Sequence, residues 1–327
     1  MSSTSSRGSK SHWGRKASAC LFCTWNCSEA TVQTAQDMIS SEAHVFIKAS
    51  SGLEGGVVSS GSTCGVVSGG ALSLALMHDD ELRRGGPEAE AGLLSAAGDY
   101  VRWFGEEYGT TKCRERSGVD FWTLRGLLRY LLPPDAIVRC LSHINGAMQY
   151  LYDMQESELP KVTLDGPETR PDAIHCAQRV LEGVRTRTGI GDPLLERSSI
   201  ALDGGVGLQG GACGALAGAA MAVNIPMGID LRDASIAQAV RAFFSGHKYL
   251  RGDTTLVSDD PYAVGKRVVV RFREAAKSID CSDITGREFS GWASFQRHMS
   301  SSETCQRLID LSVDEAVIAI EEHRRVQ

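Results

Sequence analysis

The sequence has little of what nucleic-acid-binding and membrane proteins need. It contains 34 Lys and Arg against 40 Asp and Glu, so its formal net charge of −6 provides no basic excess to attract nucleic acid. Aromatic residues make up only 6% of the chain, which leaves few side chains to stack on bases. It also lacks an apolar run of about 18 residues, the length of a membrane-spanning helix. We therefore expect neither nucleic acid nor a membrane as a partner.

The N-terminal stretch lacks the apolar segment of a secretory signal. It is rich in Ser and basic residues, as in MSSTSSRGSKSHWGRKAS, and contains no apolar run of the required length. This composition predicts a disordered tail over residues 1–18. The absence of a secretory signal pattern favours a reducing, cytoplasmic location, which weakens the case for structural disulfides.

Glycine and cysteine are the abundant residue types. The chain has 35 Gly and 10 Cys in 327 residues, within an otherwise ordinary globular composition of 42% hydrophobic and 23% charged residues. This length corresponds to about two domains. Ten cysteines do not make a disulfide-stabilised miniprotein at this length, so they point to ligation or to redox chemistry.

One pattern occurs twice in the chain. The segment LEGGVVSSGSTCGVVSGGA around Cys64 returns, 149 residues later and without a gap, as LDGGVGLQGGACGALAGAA around Cys213. The identical positions include a leucine, a valine and five glycines. Cysteines before and after these segments keep the same order in both copies. Each copy thus has four cysteines, which are Cys27, Cys64, Cys113 and Cys140 in the first and Cys176, Cys213, Cys281 and Cys305 in the second.

The repeat divides the chain into two modules. We assign residues 19–154 to a first module, 155–172 to a polar linker with three prolines, and 173–327 to a second module. The second module is longer by about 19 residues between its second and third cysteines. Residues 245–263 are the expected site of this extra loop.

The hydrophobic pattern predicts a mainly α fold in which two similar helical modules are related by pseudo-twofold symmetry. Amphipathic helices are expected with Cys27 and Cys176 in their first turns, and buried helices after Cys64 and Cys213. Small residues recur every four positions in the buried helices, which predicts close helix packing. The segment PYAVGKRVVVRFREAAKSI contains a β-branched run, but its place in the repeat predicts a helix.

Cys64 and Cys213 each follow a glycine-rich turn at a predicted helix start. The partial positive charge of a helix N-terminus stabilises a thiolate, so a lowered thiol pKa is expected there. Four thiolates per module suit an iron–sulfur cluster or a Cys₄ zinc site. The long intervals between the cysteines argue against a zinc ribbon, and they also permit two dithiol pairs per module.

Other candidate motifs are weaker. Cys20 and Cys23 form a single CxxC without a counterpart in the second module, and they could act as a redox dithiol or as auxiliary ligands. His143 and His175 have no matching histidines in the other copy, which favours packing or surface roles. The segment GGVGLQGG lacks the Lys-Ser/Thr of a phosphate loop, and the chain has no C-x-x-C-H, so neither nucleotide nor haem is expected.

Each module resembles the C-GCAxxG-C-C family of redox-active proteins. The second copy carries the CGAxxG segment intact from Cys213 to Gly218, whereas the first has Val66 in place of alanine. The resemblance covers most of both copies and indicates a tandem fusion. It implies a redox role, and a similar region in a multihaem cytochrome that also holds an iron–sulfur centre favours a cluster.

We therefore expect a redox or electron-transfer protein, or a component of an oxidoreductase, that works with a redox partner protein. No catalytic residue is assigned. Alternatives are a thiol–disulfide oxidoreductase with Cys64 and Cys213 as nucleophiles, a soft-metal carrier, and one centre shared by both copies. The expected iron–sulfur ligands are Cys27, Cys64, Cys113 and Cys140 in one set and Cys176, Cys213, Cys281 and Cys305 in the other.

Overall fold

The computed structural model describes residues 8–164, 173–230, 232, 235–251 and 260–326. Within this part the chain forms sixteen α-helices, two short 3₁₀ turns and no β-strand, which confirms the mainly α prediction. None of the described helices is long and apolar enough to cross a membrane.

The first module consists of eight helices. The fifth has a kink at Gly86, where the backbone is not helical. In chain order the helices are α1 Lys10–Thr24, α2 Cys27–Ile39, α3 His44–Ser50, α4 Gly65–Met77, α5 Asp79–Tyr108, α6 Cys113–Ser117, α7 Leu124–Leu131 and α8 Asp135–Met154.

Among the described residues, the second module repeats the order of α2 to α8, has no counterpart of α1 and adds one helix, α12. Helices α9 to α11 match α2 to α4, α13 matches the second half of α5, and α14 to α16 match α6 to α8. The described bounds are α9 Cys176–Thr188, α10 Pro193–Ser198, α11 Gly214–Met227, α12 Ile236–Leu250, α13 Pro261–Ala276, α14 Cys281–Thr285, α15 Trp292–Met299 and α16 Glu303–Val326.

Helices α4 and α11 lie at the centres of the two modules. Both are apolar around their whole circumference, and nearly all of their residues are buried. Helix α4 packs against α2, α5 and α8, while α11 packs against α9, α13 and α16. Helix α11 also contacts α3 of the first module, so the two modules share a continuous core.

The N-terminal segment corrects the prediction of a disordered tail over residues 1–18. Helix α1 begins at Lys10, after Ser9 caps it by accepting a hydrogen bond from the backbone N–H of His12. Its buried residues Trp13, Ala17 and Leu21 recur every four positions and pack chiefly on α8. The Ser-rich, basic composition hid this stripe, and residues 1–7 lie outside the described part.

The extra segment of the second module also differs from the loop expected at 245–263. Residues 245–250 belong to helix α12, whose start has a capping box formed by Ser235 and Gln238. Residues 261–263 begin α13, and residues 252–259 lie outside the described part. The insertion therefore contributes a helix, with Phe243 and Leu250 on its buried side.

The β-branched run of the second module is helical, as the repeat predicts. Helix α13 starts with Pro261 in its first turn, and Asp260 caps it by accepting from the N–H of Tyr262. Val264, Val268 and Phe272 form its buried face. Burial of this face outweighs the modest helix penalty of β-branched residues.

Candidate redox site

Three of the four cysteines in each module stand at helix starts. Cys27, Cys113, Cys176 and Cys281 are each the first residue of a helix, and Cys64 and Cys213 are N-caps. The last cysteine of each set, Cys140 or Cys305, lies on the final long helix of its module. Helix starts present free N–H groups and partial positive charge toward the thiols.

A short antiparallel bridge places the second and third cysteines of each module side by side. The N–H of Cys64 donates to the carbonyl of Thr111 at 2.8 Å, and that of Cys113 donates to Ser62 at 2.7 Å. The second module repeats this pair, with Cys213 donating to Ile279 at 2.8 Å and Cys281 to Gly211 at 2.7 Å.

The glycine-rich turn before each second cysteine has an unusual backbone. Five consecutive residues from Gly55 to Ser59 have positive φ, and so do those from Gly204 to Leu208. Such angles are unfavourable for residues with a side chain, above all for the β-branched Val57 and Val206. Backbone hydrogen bonds inside the turns hold these angles, and strain of this kind is concentrated at functional sites.

Glycines after the second cysteine allow the first helix of the module to approach closely. A Cβ on Gly65 would lie 2.6 Å from the Sγ of Cys27, and one on Gly214 would lie 2.9 Å from the Cβ of Cys176. One turn on, a Cβ on Gly218 would lie 2.9 Å from the carbonyl oxygen of Ala177. The CGxxxG spacing is therefore a packing device that positions the first cysteine.

In the second module all four thiols line one enclosed, mostly apolar pocket. Phe289, Phe295 and Met299 supply part of its wall, and the space has room for about one water molecule. The thiol of Cys176 lies 3.9 Å from the sulfur of Met299. The four lining cysteines are Cys176, Cys213, Cys281 and Cys305.

In the first module the four thiols are also neighbours. The thiol of Cys64 is the largest influence on the pKa of Cys27, which it raises, and the phenol of Tyr130 lies close enough to Cys140 to act on its pKa. Cys113 lies close enough to Cys27 and Cys140 for their charges to interact. Both modules therefore bring their four predicted cysteines together.

Burial raises the pKa of Cys213, so the expectation of a lowered pKa at this helix start was wrong. The N–H groups of Ala215 and Leu216 act to lower it, as a helix start should, but burial is the larger effect and raises the pKa of Cys213 to about 11. Burial likewise raises the pKa of Cys140 to about 12. Without a bound cation these two thiols are protonated at neutral pH.

The two remaining cysteines, Cys20 and Cys23, both lie on α1. The thiol of Cys20 donates to the side-chain oxygen of Gln33 at 3.2 Å. Its pKa rises to about 12, chiefly through burial. Within the described residues, no three His, Cys, Asp or Glu side chains are arranged to hold a single metal ion.

An acidic residue beside each site was missed by the sequence reasoning. Asp203 is buried and accepts from the N–H of Cys176 at 2.8 Å and from His175 at 2.6 Å. His175 also contacts Glu90 at 3.2 Å, and although burial lowers its pKa, the two carboxylates outweigh this and raise it to about 10. The matching residue of the first module is Glu54, and its position 149 residues earlier could have revealed the pair.

His143, expected as a packing or surface residue, is a packing residue. Its ring is buried against Phe104 and Tyr108 and contacts the guanidinium of Arg116. Burial, and then the neighbouring Arg116 charge, lowers its pKa to about 4. It is therefore neutral at physiological pH.

The fold and the site together define a helical protein of two similar modules, each with four clustered cysteines. A family model described as "Putative redox-active protein (C_GCAxxG_C_C)" matches residues 25–153 and 174–317. The chain therefore belongs to this family, as a tandem duplication of its module. No curated protein matches the chain, and no solved structure does.

Proposed function

We propose that each module is a redox centre that holds an iron–sulfur cluster and that the chain transfers electrons. One observation carries this proposal: in the second module, four cysteines from separate parts of the chain line one enclosed, mostly apolar pocket. The ligands would be Cys27, Cys64, Cys113 and Cys140 in the first module and Cys176, Cys213, Cys281 and Cys305 in the second.

The four cysteines of each module fit an iron–sulfur cluster in ligand type and in number. Four thiolates are the usual ligands of [2Fe–2S] and [4Fe–4S] clusters, which supply one-electron transfer. The pocket of the second module has room for about one water, so its sulfurs would have to move apart to admit a cluster. A single zinc ion would require a similar movement, because no three ligand side chains of the described residues are arranged to hold one metal ion as they stand.

The protein's own residues would exclude water and stabilise the thiolates. Phe289 and Phe295 cover the sulfurs of the second module. The N–H groups of Ala215 and Leu216 hydrogen-bond Cys213, and such bonds to sulfur tune the reduction potential of a cluster. Binding of a cation at the sulfurs would offset the burial penalty that raises the thiol pKa values.

The two centres would lie close enough to exchange electrons. Thr63 and Ala212, which directly precede Cys64 and Cys213, are joined by a hydrogen bond of 2.8 Å from the Ala212 N–H to the Thr63 hydroxyl. With consecutive Cα atoms about 3.8 Å apart, the Cα atoms of Cys64 and Cys213 are within roughly 14 Å of each other. This contact supports two adjacent centres that pass electrons from one to the other.

A second candidate function is favoured by the contact between Cys27 and Cys64. Their thiols are close enough for Cys64 to raise the pKa of Cys27, so oxidation could join them as a disulfide and release two electrons and two protons to an acceptor. That contact and burial raise the pKa of Cys27 well above its usual value. The small thiolate fraction would make exchange slow at neutral pH, in contrast with a dedicated thiol–disulfide oxidoreductase.

We further propose a redox partner protein and a cytoplasmic location. A reducing compartment would keep the thiols available as ligands. The partner would accept or donate single electrons.

The proposed ligand sets are tested by substituting one module at a time. After anaerobic purification, Cys213→Ser and Cys64→Ser should each lose about half of the iron and sulfide of the unsubstituted protein. Cys20→Ser with Cys23→Ser is the matched control and should lose neither. Equal metal content in all variants would refute the assignment.

A further inference from the structure

A separate cavity of about 50 Å³ lies where the two modules meet. Its first-module wall includes Trp25, Asn26 and Glu54, near the turn between α1 and α2. Its second-module wall comes from α12 and the start of α13, through Phe243 and Tyr262. The helix that the second module has gained therefore forms one side of this cavity.

The cavity combines aromatic walls with buried acid. The rings of Trp25 and Phe243 pack with centroids 5.0 Å apart. Glu54 is 5% exposed, and its carboxylate accepts from the hydroxyl of Ser59 at 2.5 Å. Among the described residues that line the cavity none is Lys, Arg or His, and Glu29 adds a second carboxyl group. Aromatic faces and carboxylates both attract cations.

In the second module, a histidine lies beside the residue that corresponds to Glu54. Asp203, the counterpart of Glu54, is paired at 2.6 Å with His175, whose ring carries the positive charge. In the first module the residue at the histidine position is Asn26, whose side chain caps α2 and donates to the carbonyl of Ser51 at 3.2 Å. Asp203 therefore has a cationic partner in His175, whereas its counterpart Glu54 lines a cavity.

We propose that this cavity binds a small organic ammonium ion. The ion would pair with Glu54 in the same way that the His175 imidazolium pairs with Asp203. The apolar walls would hold its hydrocarbon part, and the carboxyl group would bind its N–H groups. Burial raises the pKa of Glu54 to about 7, and a bound cation would offset that effect. The proposal does not depend on metal or redox chemistry at the cysteines.

The test is calorimetric titration of the full chain with three probes of one shape: isobutylamine, isobutanol and isobutyrate. The amine should bind at least about tenfold more tightly than the alcohol, as expected for a charge-assisted hydrogen bond, and isobutyrate most weakly. Glu54→Gln should remove the preference for the amine. Asp203→Asn, the matched change in the second module, should leave it.

Two further variants keep the test decisive if Glu54→Gln fails to fold. Ala242→Phe, on the cavity face of α12, should block both the amine and the alcohol. Asn26→His, which introduces the cation of the second module, should weaken amine binding by about tenfold or more. Equal binding of the three probes, no binding of the amine, or amine binding that survives both changes would overturn the proposal.

Discussion

Glu54 should make the protein less stable as the pH rises, and Glu54→Gln should remove that effect. Burial raises the pKa of this carboxyl group from 4.5 to about 7 in the folded chain, and the Ser59 hydroxyl only partly offsets the shift. Below pH 4.5 the group is protonated in both the folded and the unfolded states. As the pH rises toward 7 the unfolded chain loses the proton first, so the unfolded state gains stability. Above about pH 7 the full penalty on folding is reached.

The magnitude follows from the difference between the two pKa values. A shift from 4.5 to about 7 corresponds to about 3 kcal/mol in the free energy of unfolding, at about 1.4 kcal/mol per pKa unit. The stability of Glu54→Gln relative to the unsubstituted chain should therefore rise by about that amount between pH 4.5 and pH 8. Urea unfolding of the reduced, metal-free proteins at several pH values measures it.

The matched change in the second module should behave differently. Asp203→Asn removes the partner of His175, whose pKa is raised to about 10, and so it should destabilise the protein at pH 7 to 8. A pH-independent difference between Glu54→Gln and the unsubstituted chain would show that Glu54 is not buried as described. A difference that grows toward low pH would refute the sign of the argument.

Three further substitutions test the packing of the site, and one thiol titration tests its electrostatics. Gly65→Ala should destabilise the protein by about 1–3 kcal/mol, because its Cβ would lie 2.6 Å from the Cys27 sulfur. Gly105→Ala is the control, because a Cβ there would lie 3.6 Å from the nearest side-chain atom, and it should be neutral or stabilising in urea unfolding. Equal losses of stability for Gly65→Ala and Gly105→Ala would contradict this account. Thr63→Val should lower the unfolding free energy by about 1 kcal/mol through loss of the bond to the Ala212 N–H, and no change in urea unfolding would count against it. Spectrophotometric thiol titration of metal-free protein should find no ionisation of Cys213 near pH 7, because its pKa is about 11; a thiolate there would contradict the dominance of burial.

Features that depend on the spacing of residues along the chain could be predicted from the sequence. The repeated spacing around Cys64 and Cys213 indicated both modules, and it correctly outweighed the β-branched run of α13. The two sets of cysteines do come together. Repeats are informative because two copies of one module must satisfy the same packing constraints.

Features that depend on tertiary packing were harder to predict. Helix α1 was hidden because its buried stripe, Trp13 to Leu21, is diluted by Ser and basic residues. The sign of the Cys213 pKa shift was missed because the helix start is visible in the sequence whereas the depth of burial is not. The role of His175 was also missed, since Glu90 is distant in sequence and reaches it only after folding.

The most direct test of the account is the metal content and visible spectrum of the unsubstituted protein after anaerobic purification. Iron, acid-labile sulfide and zinc would be measured on the same sample as the spectrum. The account expects broad absorbance near about 400 nm and about two or four irons per module, with matching sulfide. Colourless protein free of iron and sulfide would contradict the cluster and leave thiol titration of the Cys27–Cys64 pair as the next measurement.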